Sequence, residues 1–246
     1  MTDPITMPWS APVFGPPPHG WKGVRMAAFP FAPNPAALEA ILPPPLEPDD
    51  GLGMITMLTY PPGHEMKLHP FTELVVLVPV RLGDLKANYV PYIYVTTDEA
   101  LIAGREIAGW PKRLADITWE REGDHFSGRA VRWGTPILTL EGDLQGPMPD
   151  EVAGLQAEAA GKPTLNYKII PGPAGEIEVE EITLTRLDID AQVVELGTGR
   201  VHCENGDDDP LADLVPDSEG ILVAMVSDNT IPAGEVVHRV DRRVTV

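Results

Sequence analysis

The sequence predicts an α+β or mainly β domain built on one large, mostly antiparallel sheet. About ten segments have the pattern of strands, because they are apolar throughout or alternate apolar with polar residues between short turns. Only three or four short segments have the pattern of helices, since prolines interrupt the longer candidates. We expect the sheet to curl, because curling protects edge strands from pairing with other chains.

The composition of the chain limits the kinds of partner that this domain is expected to bind. The formal net charge is −19, which argues against nucleic acid or an anionic membrane as a partner. No stretch reaches the roughly 18 apolar residues of a membrane span, and the first 18 residues lack the basic region of a secretory signal. We therefore expect a cytoplasmic protein. The single cysteine, Cys203, excludes a disulfide within the chain and a zinc site made of thiols.

The N-terminus is predicted to be a proline-rich extended arm over residues 1–20, followed by a single domain over 21–246. A short strand at 26–29 comes first. Asn34 and Pro35 then have the residue types of a helix cap and first turn, so they predict a helix at 36–42 that ends at the prolines after it.

The remaining elements follow from apolar patterning and turn residues. A second helix is predicted at 98–108, capped by Thr97 and ended by Gly109, and a third at 150–160. Strands are predicted at 53–60, 71–80, 86–96, 116–121, 125–133, 136–144, 164–171, 177–187, 192–203, 221–226 and 235–240.

Two clusters of possible metal ligands do not have the spacing of known sites. His64, Glu65 and His69 lie in a polar loop, but their spacing fits no recognised ligand pattern. The three aspartates at 207–209 lack the spaced ligands of a calcium loop, so a solvated turn is predicted there. No metal is expected.

Glu73 is the polar exception in the apolar strand predicted at 71–80. A carboxylate in such a run is paired, lies at the open end of the strand, or serves acid–base chemistry. The residues alone leave these alternatives open.

Lys112 follows the predicted second helix in the stretch 104–114, G-R-E-I-A-G-W-P-K-R-L. Pro111 stiffens the backbone before it, and Gly104 suggests a close approach between the helix and a neighbour. Burial or a nearby cation, such as Arg113, favours the neutral amine, which condenses with a ketone to a Schiff base. The alternative is a surface lysine that the helix dipole favours at a helix C-terminus.

The order of motifs resembles the acetoacetate decarboxylase superfamily from about residue 34 to residue 240. The most specific block is A-G-R-E-I-A-G-W-P-K-R-L-A at 103–115. The others are P-A-A-L-E-A-I-L-P-P-P-L-E at 35–47, F-T-E-L-V-V-L-V-P-V at 71–80, Y-V-P-Y-I-Y-V at 89–95, L-N-Y-K-I-I-P at 165–171, and, near the end, D-P-L-A-D-L and T-I-P-A-G-E-V-V.

The resemblance implies a curled, cone-shaped and largely closed β-sheet with a few short helices. It also implies that Lys112 forms the Schiff base and that Glu73 acts as acid or base in the same pocket. Activation of a lysine by burial or a second cation is known from acetoacetate decarboxylase itself, so that argument and the resemblance are not independent.

Three positions depart from the decarboxylase pattern. Arg113 stands where the decarboxylase has a second lysine, and Thr56 stands at or near the place of a further active-site glutamate. Arg25 aligns only approximately with an arginine near the start of the decarboxylase. These departures put acetoacetate itself in doubt as the substrate.

The sequence therefore predicts a carbon–carbon lyase without a metal or organic cofactor, acting on a small keto acid. Lys112, Glu73 and Arg113 are the expected catalytic residues, with Arg25 or Arg113 holding a carboxylate and Trp110 contacting the substrate. The alternatives are an aldolase-dehydratase that condenses a pyruvate-like keto acid with an aldehyde, and a non-catalytic carrier of a small apolar ligand. The resemblance and the proline-rich arm predict a homo-oligomer.

Overall fold

Fourteen strands form one sheet in the part of the chain that the structure, a computed structural model, describes: residues 4–62, 68–149 and 161–240. The predicted helix at 150–160 and the loop residues His64 and Glu65 lie outside these ranges. The strands are β1 (His19–Phe31), β2 (Glu47–Pro48), β3 (Gly53–Tyr60), β4 (Phe71–Leu82), β5 (Leu85–Val95), β6 (Lys112–Leu114), β7 (Asp116–Glu122), β8 (His125–Arg132), β9 (Thr135–Pro147), β10 (Thr164–Pro171), β11 (Ile177–Thr185), β12 (Asp188–Cys203), β13 (Ser218–Ile231) and β14 (Glu235–Arg239).

The strands follow the order β14-β11-β10-β5-β4-β3-β1-β13-β12-β9-β8-β7, with β2 paired to β4 and β6 paired to β5. The pairs β5–β6 and β5–β10 are parallel, and the other described pairs are antiparallel. The predicted class, a mostly antiparallel sheet with few helices, is confirmed. Closure of the sheet into a cone stays a prediction.

The first strand is longer than its sequence pattern predicts. His19 pairs with Ile231 of β13, so β1 begins inside the stretch predicted to be an extended arm. Phe14 is also buried, which means that part of the arm packs on the body of the protein.

The helices are short. In α1 (Pro35–Ile41) the Asn34 side chain accepts hydrogen bonds from the backbone N–H of Ala36 and Ala37, as the capping prediction requires. A four-residue helix, α3 (Leu211–Leu214), lies between β12 and β13. None of the described helices has the length and apolar character needed to cross a bilayer.

The helix predicted at 98–108 is not one continuous α-helix. It consists of α2 (Asp98–Ala103) and a π-helical turn (Gly104–Ala108), and Gly109 ends it in the left-handed conformation, φ 73°. Thr97 is the N-cap residue of α2, as predicted, but its side chain makes no capping hydrogen bond. Short π-helical turns are frequent at functional sites, since they shift side chains out of α-helical register.

The central strands bury both faces, and successive side chains alternate between two clusters. On β1, Ala27 and Phe29 pack in one cluster, whereas Met26 and Ala28 belong to the other. The first cluster lies under the hairpins formed by β7, β8 and β9. There the Trp119 ring of β7 lies against the Arg25 guanidinium of β1, with 4.6 Å between the ring centroid and Arg25 Cζ. The second cluster surrounds a cavity.

Candidate active site

Lys112 and Glu73 form an ion pair in the wall of a cavity of about 880 Å³. Lys112 Nζ donates to Glu73 Oε2 at 2.5 Å, and the two side chains are 6% and 8% exposed. The surface lysine, one of the two alternatives for Lys112, is therefore excluded. Of the three alternatives for Glu73, the structure shows the paired carboxylate.

Strand register brings the two side chains together. Glu73 on β4 lies opposite Val95 of β5, and Lys112 at the start of β6 lies opposite Ile93 of β5. Val95 and Ile93 are two residues apart, so they occupy the same face of β5. Glu73 on β4 and Lys112 on β6 consequently reach the same side of the sheet.

The lysine stem is held by the π-helical turn. A Cβ on Gly104 would lie 2.6 Å from Lys112 Cδ and 2.7 Å from Cε, so only glycine permits this contact. The close approach predicted for Gly104 is thereby confirmed. Trp110 and Phe71 border the amine, with ring centroids 5.1 and 5.6 Å from Nζ.

Aromatic rings close the cavity beside the ion pair. Phe71 stacks on Tyr60 with centroids 4.5 Å apart, and Trp21 meets Tyr60 edge-on at 5.0 Å. Burial, with a smaller contribution from the Glu73 carboxylate, raises the pKa of Tyr60 well above its ordinary value. The phenol therefore stays protonated beside the ion pair.

Neither arginine proposed from the sequence reaches this cavity. Arg113 follows Lys112 directly on β6, and adjacent residues of a strand point to opposite faces. Arg113 instead donates to Asp209 Oδ1 at 2.8 Å. Arg25 donates through Nε to Thr59 Oγ1 at 3.1 Å and lies over Trp119, also on the far face. Trp110, in contrast, lines the cavity, and its contact with a substrate stays a prediction.

The solvated turn predicted at 207–209 is wrong for Asp209, which is 1% exposed. Its carboxylate accepts hydrogen bonds from Arg113, Arg132 and Tyr94, each at 2.8 Å. Three donors compensate the burial of one charge, so this aspartate is part of the protein interior.

A second charged group in the cavity wall was not found from the sequence. Lys168 Nζ lies 3.8 Å from Glu181 Oε1 and donates to the backbone carbonyl of Ile107 at 3.2 Å, and Glu181 also accepts from Arg239 at 2.8 Å. The sequence offered one signal for this contact, the opposite charges of Lys168 and Glu181 on consecutive predicted strands. Nothing in the sequence indicated which face of the β10–β11 hairpin would border the cavity.

The Lys112–Glu73 pair has the groups needed to transfer a proton and to attack a carbonyl. No group of three or more His, Cys, Asp or Glu side chains is arranged to hold a metal ion in the described part of the chain. An amine and a carboxylate at 2.5 Å can exchange a proton directly, and the neutral amine is a nucleophile.

Comparison with known proteins identifies similar sequences and folds. The family model described as acetoacetate decarboxylase (ADC) matches residues 2–240. The acetoacetate decarboxylase of Clostridium beijerinckii is 27% identical over 238 residues, which cover 95% of this chain and 94% of that protein.

Two solved structures show the same fold. A structure of acetoacetate decarboxylase has a TM-score of 0.86 at 21% identity and covers 96% of this chain and 95% of its own. The enduracididine biosynthesis enzyme MppR, in complex with the condensation product of pyruvate and imidazole 4-carboxaldehyde, has a TM-score of 0.79 at 15% identity and covers 97% of this chain and 98% of its own.

Proposed function

Because the chain belongs to the acetoacetate decarboxylase family, we propose that it is a lyase in which Lys112 forms a Schiff base with a keto acid. The observation that carries the proposal is the contact of 2.5 Å between Lys112 Nζ and Glu73 Oε2 inside the cavity. Burying an ion pair is costly, and a carrier of an apolar ligand would gain nothing from this one. A Schiff-base enzyme uses both partners.

The first step is formation of the iminium. Glu73 accepts a proton from Lys112, and the neutral amine attacks the ketone carbon. Glu73 returns this proton to the hydroxyl of the resulting carbinolamine, which then loses water. The product is an iminium ion in which the substrate carbon is bonded to Nζ.

The second step is loss of carbon dioxide. The bond between the carboxylate and the adjacent carbon breaks, and its electron pair moves to the iminium nitrogen, which gives an enamine and CO2. Glu73, after it takes up a proton from solvent, lies within reach to deliver it to the enamine carbon. Water then hydrolyses the new iminium, which releases the ketone and regenerates the Lys112 amine.

The volume of the cavity also supports a second candidate reaction, the condensation of a pyruvate-like keto acid with an aldehyde. A space of about 880 Å³ accommodates two small reactants. In this reaction Glu73 removes a proton from the carbon beside the iminium, the enamine attacks the aldehyde, and water is lost. The MppR structure of the same fold contains such a condensation product.

Product analysis with matched lysine variants tests the proposal. Purified protein is supplied with acetoacetate, or with pyruvate and an aldehyde, while CO2 and condensation products are measured. We expect one reaction to proceed, Lys112→Met to abolish it, and Lys86→Met, at a mostly exposed lysine, to leave it unchanged. Turnover by Lys112→Met, or no reaction with any keto acid, would overturn the proposal.

The oligomeric state and the location in the cell are two further proposals. We propose a cytoplasmic homo-oligomer, and the oligomer is supported by the family and by the proline-rich N-terminal arm. Light scattering of the purified protein measures its mass in solution. A monomeric mass would contradict the first of these proposals.

A further inference from the structure

The floor of the cavity consists of side chains aligned in rows across neighbouring strands. In the first row, Met26 of β1, Leu58 of β3 and Glu73 of β4 are direct partners. Side chains of one face recur every second residue along a strand, so further rows follow at intervals of about 6.6 Å. The first row contains the carboxylate that meets Lys112.

The second row is almost entirely apolar. It runs across five strands in the partner order Val223, Ala28, Thr56, Val75 and Ile93, and all five residues line the cavity. Thr56 is the one polar residue among these five, and it lies at or near the position where the resemblance places a glutamate of the decarboxylase. The next partner of Ile93 is Lys112 on β6, so the lysine stands at the end of this row.

The third row has no polar side chain. Pro30, Met54 and Leu77 are direct partners, and all three line the cavity. Leu77 is four residues beyond Glu73 on β4, which corresponds to about 13 Å along the strand. The second and third rows together form an apolar trough that begins beside Lys112 and leads away from Glu73.

The opposite direction is closed near the amine. Gly104 of the π-helical turn contacts the Lys112 stem, and the Phe71 and Trp110 rings border Nζ. Within the cavity, a group attached to a carbonyl carbon bonded to Nζ has space over the second and third rows. In acetoacetate that group is a methyl, which leaves most of the trough uncovered.

We propose that the natural substrate is a β-keto acid whose carbonyl carries an alkyl chain longer than methyl, and that this chain lies in the trough. The inference rests on the proposed function, since it takes Lys112 as the atom that fixes the carbonyl. The volume of about 880 Å³ falls in the upper part of the range for sites that enclose ligands much larger than acetoacetate.

The test is a homologous series of β-keto acids. Release of CO2 is measured for acetoacetic, β-ketohexanoic and β-ketooctanoic acids. Each methylene buried in the trough should raise kcat/KM about fourfold, so that each successive acid exceeds the one before it by roughly tenfold or more. Leu77→Trp, which fills the third row, should remove the gain for the longest acid. Ile169→Trp, at an exposed position of β10, is the matched control and should retain it.

A second measurement does not depend on folding of the variant. With the unaltered protein, straight-chain carboxylic acids from butyrate to octanoate should inhibit competitively, with inhibition constants that fall as the chain lengthens. This inference alone is overturned if kcat/KM stays constant or decreases from acetoacetate to β-ketooctanoate. It is also overturned if the inhibition constants do not depend on chain length. Failure of every keto acid in the series to release CO2 refutes the proposed decarboxylation, on which this inference rests.

Discussion

Arg113 turns away from the cavity that contains Lys112, and its guanidinium donates to Asp209 Oδ1 at 2.8 Å. Asp209 Oδ2 accepts from Arg132 Nε at 2.8 Å, and Arg132 also donates to the backbone carbonyl of Leu114. Arg113 and Leu114 both belong to β6, the strand that begins with Lys112. The Asp209 carboxylate thus anchors the far side of the strand that presents the lysine.

Replacement of Asp209 by asparagine should destabilise the protein. It leaves Arg113 and the mostly buried Arg132 without their shared counter-charge, and loss of one partner of a buried ion pair costs about 3 kcal/mol. Urea denaturation measures the free energy of unfolding. Asp208→Asn is the matched control, because Asp208 is exposed and contacts Arg113 through its backbone carbonyl. Equal stability of the two variants would contradict an anchoring role for Asp209.

Replacement of Gly104 by alanine should reduce turnover while the fold is retained. The added methyl group would lie 2.6 Å from Lys112 Cδ, so the lysine stem must shift away from Glu73. A displacement of about 1 Å at a catalytic group can cost about a hundredfold in rate. Gly15→Ala is the control, since a Cβ there meets nothing within 4 Å. A rate for Gly104→Ala equal to that of the control would show that the position of the stem is not critical.

Replacement of Glu73 by glutamine should lower kcat by about two orders of magnitude or more. The amide occupies nearly the same volume but cannot take a proton from Lys112 or return it, and a positioned general acid–base contributes roughly that much. Steady-state kinetics give the rate, and circular dichroism establishes that the variant is folded. Glu47→Gln, at an exposed glutamate paired with Arg81, serves as control. Loss of less than a few-fold in kcat would exclude Glu73 as the proton carrier.

Cys203 should resist alkylation in the native protein at neutral and mildly alkaline pH. Burial, with a smaller contribution from Asp217, raises the pKa of its thiol to about 12. The reactive thiolate is therefore scarce in the folded state, and unfolding restores an ordinary thiol. At pH 8 we expect iodoacetamide to modify the native chain more than about a hundredfold more slowly than the chain in denaturant. Similar rates in both states would show that Cys203 is accessible.

The elements that local patterns predict agree well with the structure. Alternation and turn residues located most strands, and the bounds of β3 and β10 were predicted to the residue. Two residues of the site were also identified locally. Glu73 was conspicuous as a carboxylate in an apolar strand, and Lys112 as a lysine held by Pro111 after a helix. Each anomaly is visible within a few residues of sequence.

The features that were missed depend on long-range register. The side of the sheet reached by Arg25 and Arg113 follows from how β1 and β6 pair with their neighbours, and a shift of one residue reverses it. The contact between Lys168 and Glu181 depends on the pairing of β10 with β11, and the burial of Asp209 depends on partners about a hundred residues earlier in the chain. The local sequence does not show which of these distant residues pair with each other.

The position of the Arg113 side chain also changes how one departure from the decarboxylase pattern is interpreted. Arginine in place of a second lysine suggested a different cation in the pocket, but the side chain at this position points to Asp209. The exchange therefore says little about the substrate. Thr56, which lines the second row of the cavity floor, is the departure that alters the cavity itself.

Trapping of the Schiff base tests the central claim most directly. The protein is incubated with acetoacetate or pyruvate, reduced with borohydride, digested and mapped by mass spectrometry. We predict one covalent adduct on the peptide that contains Lys112, and none in Lys112→Met treated in the same way. An adduct on Lys168, the other lysine in the described wall of the cavity with a largely buried side chain, or no adduct with either keto acid, would contradict the assignment.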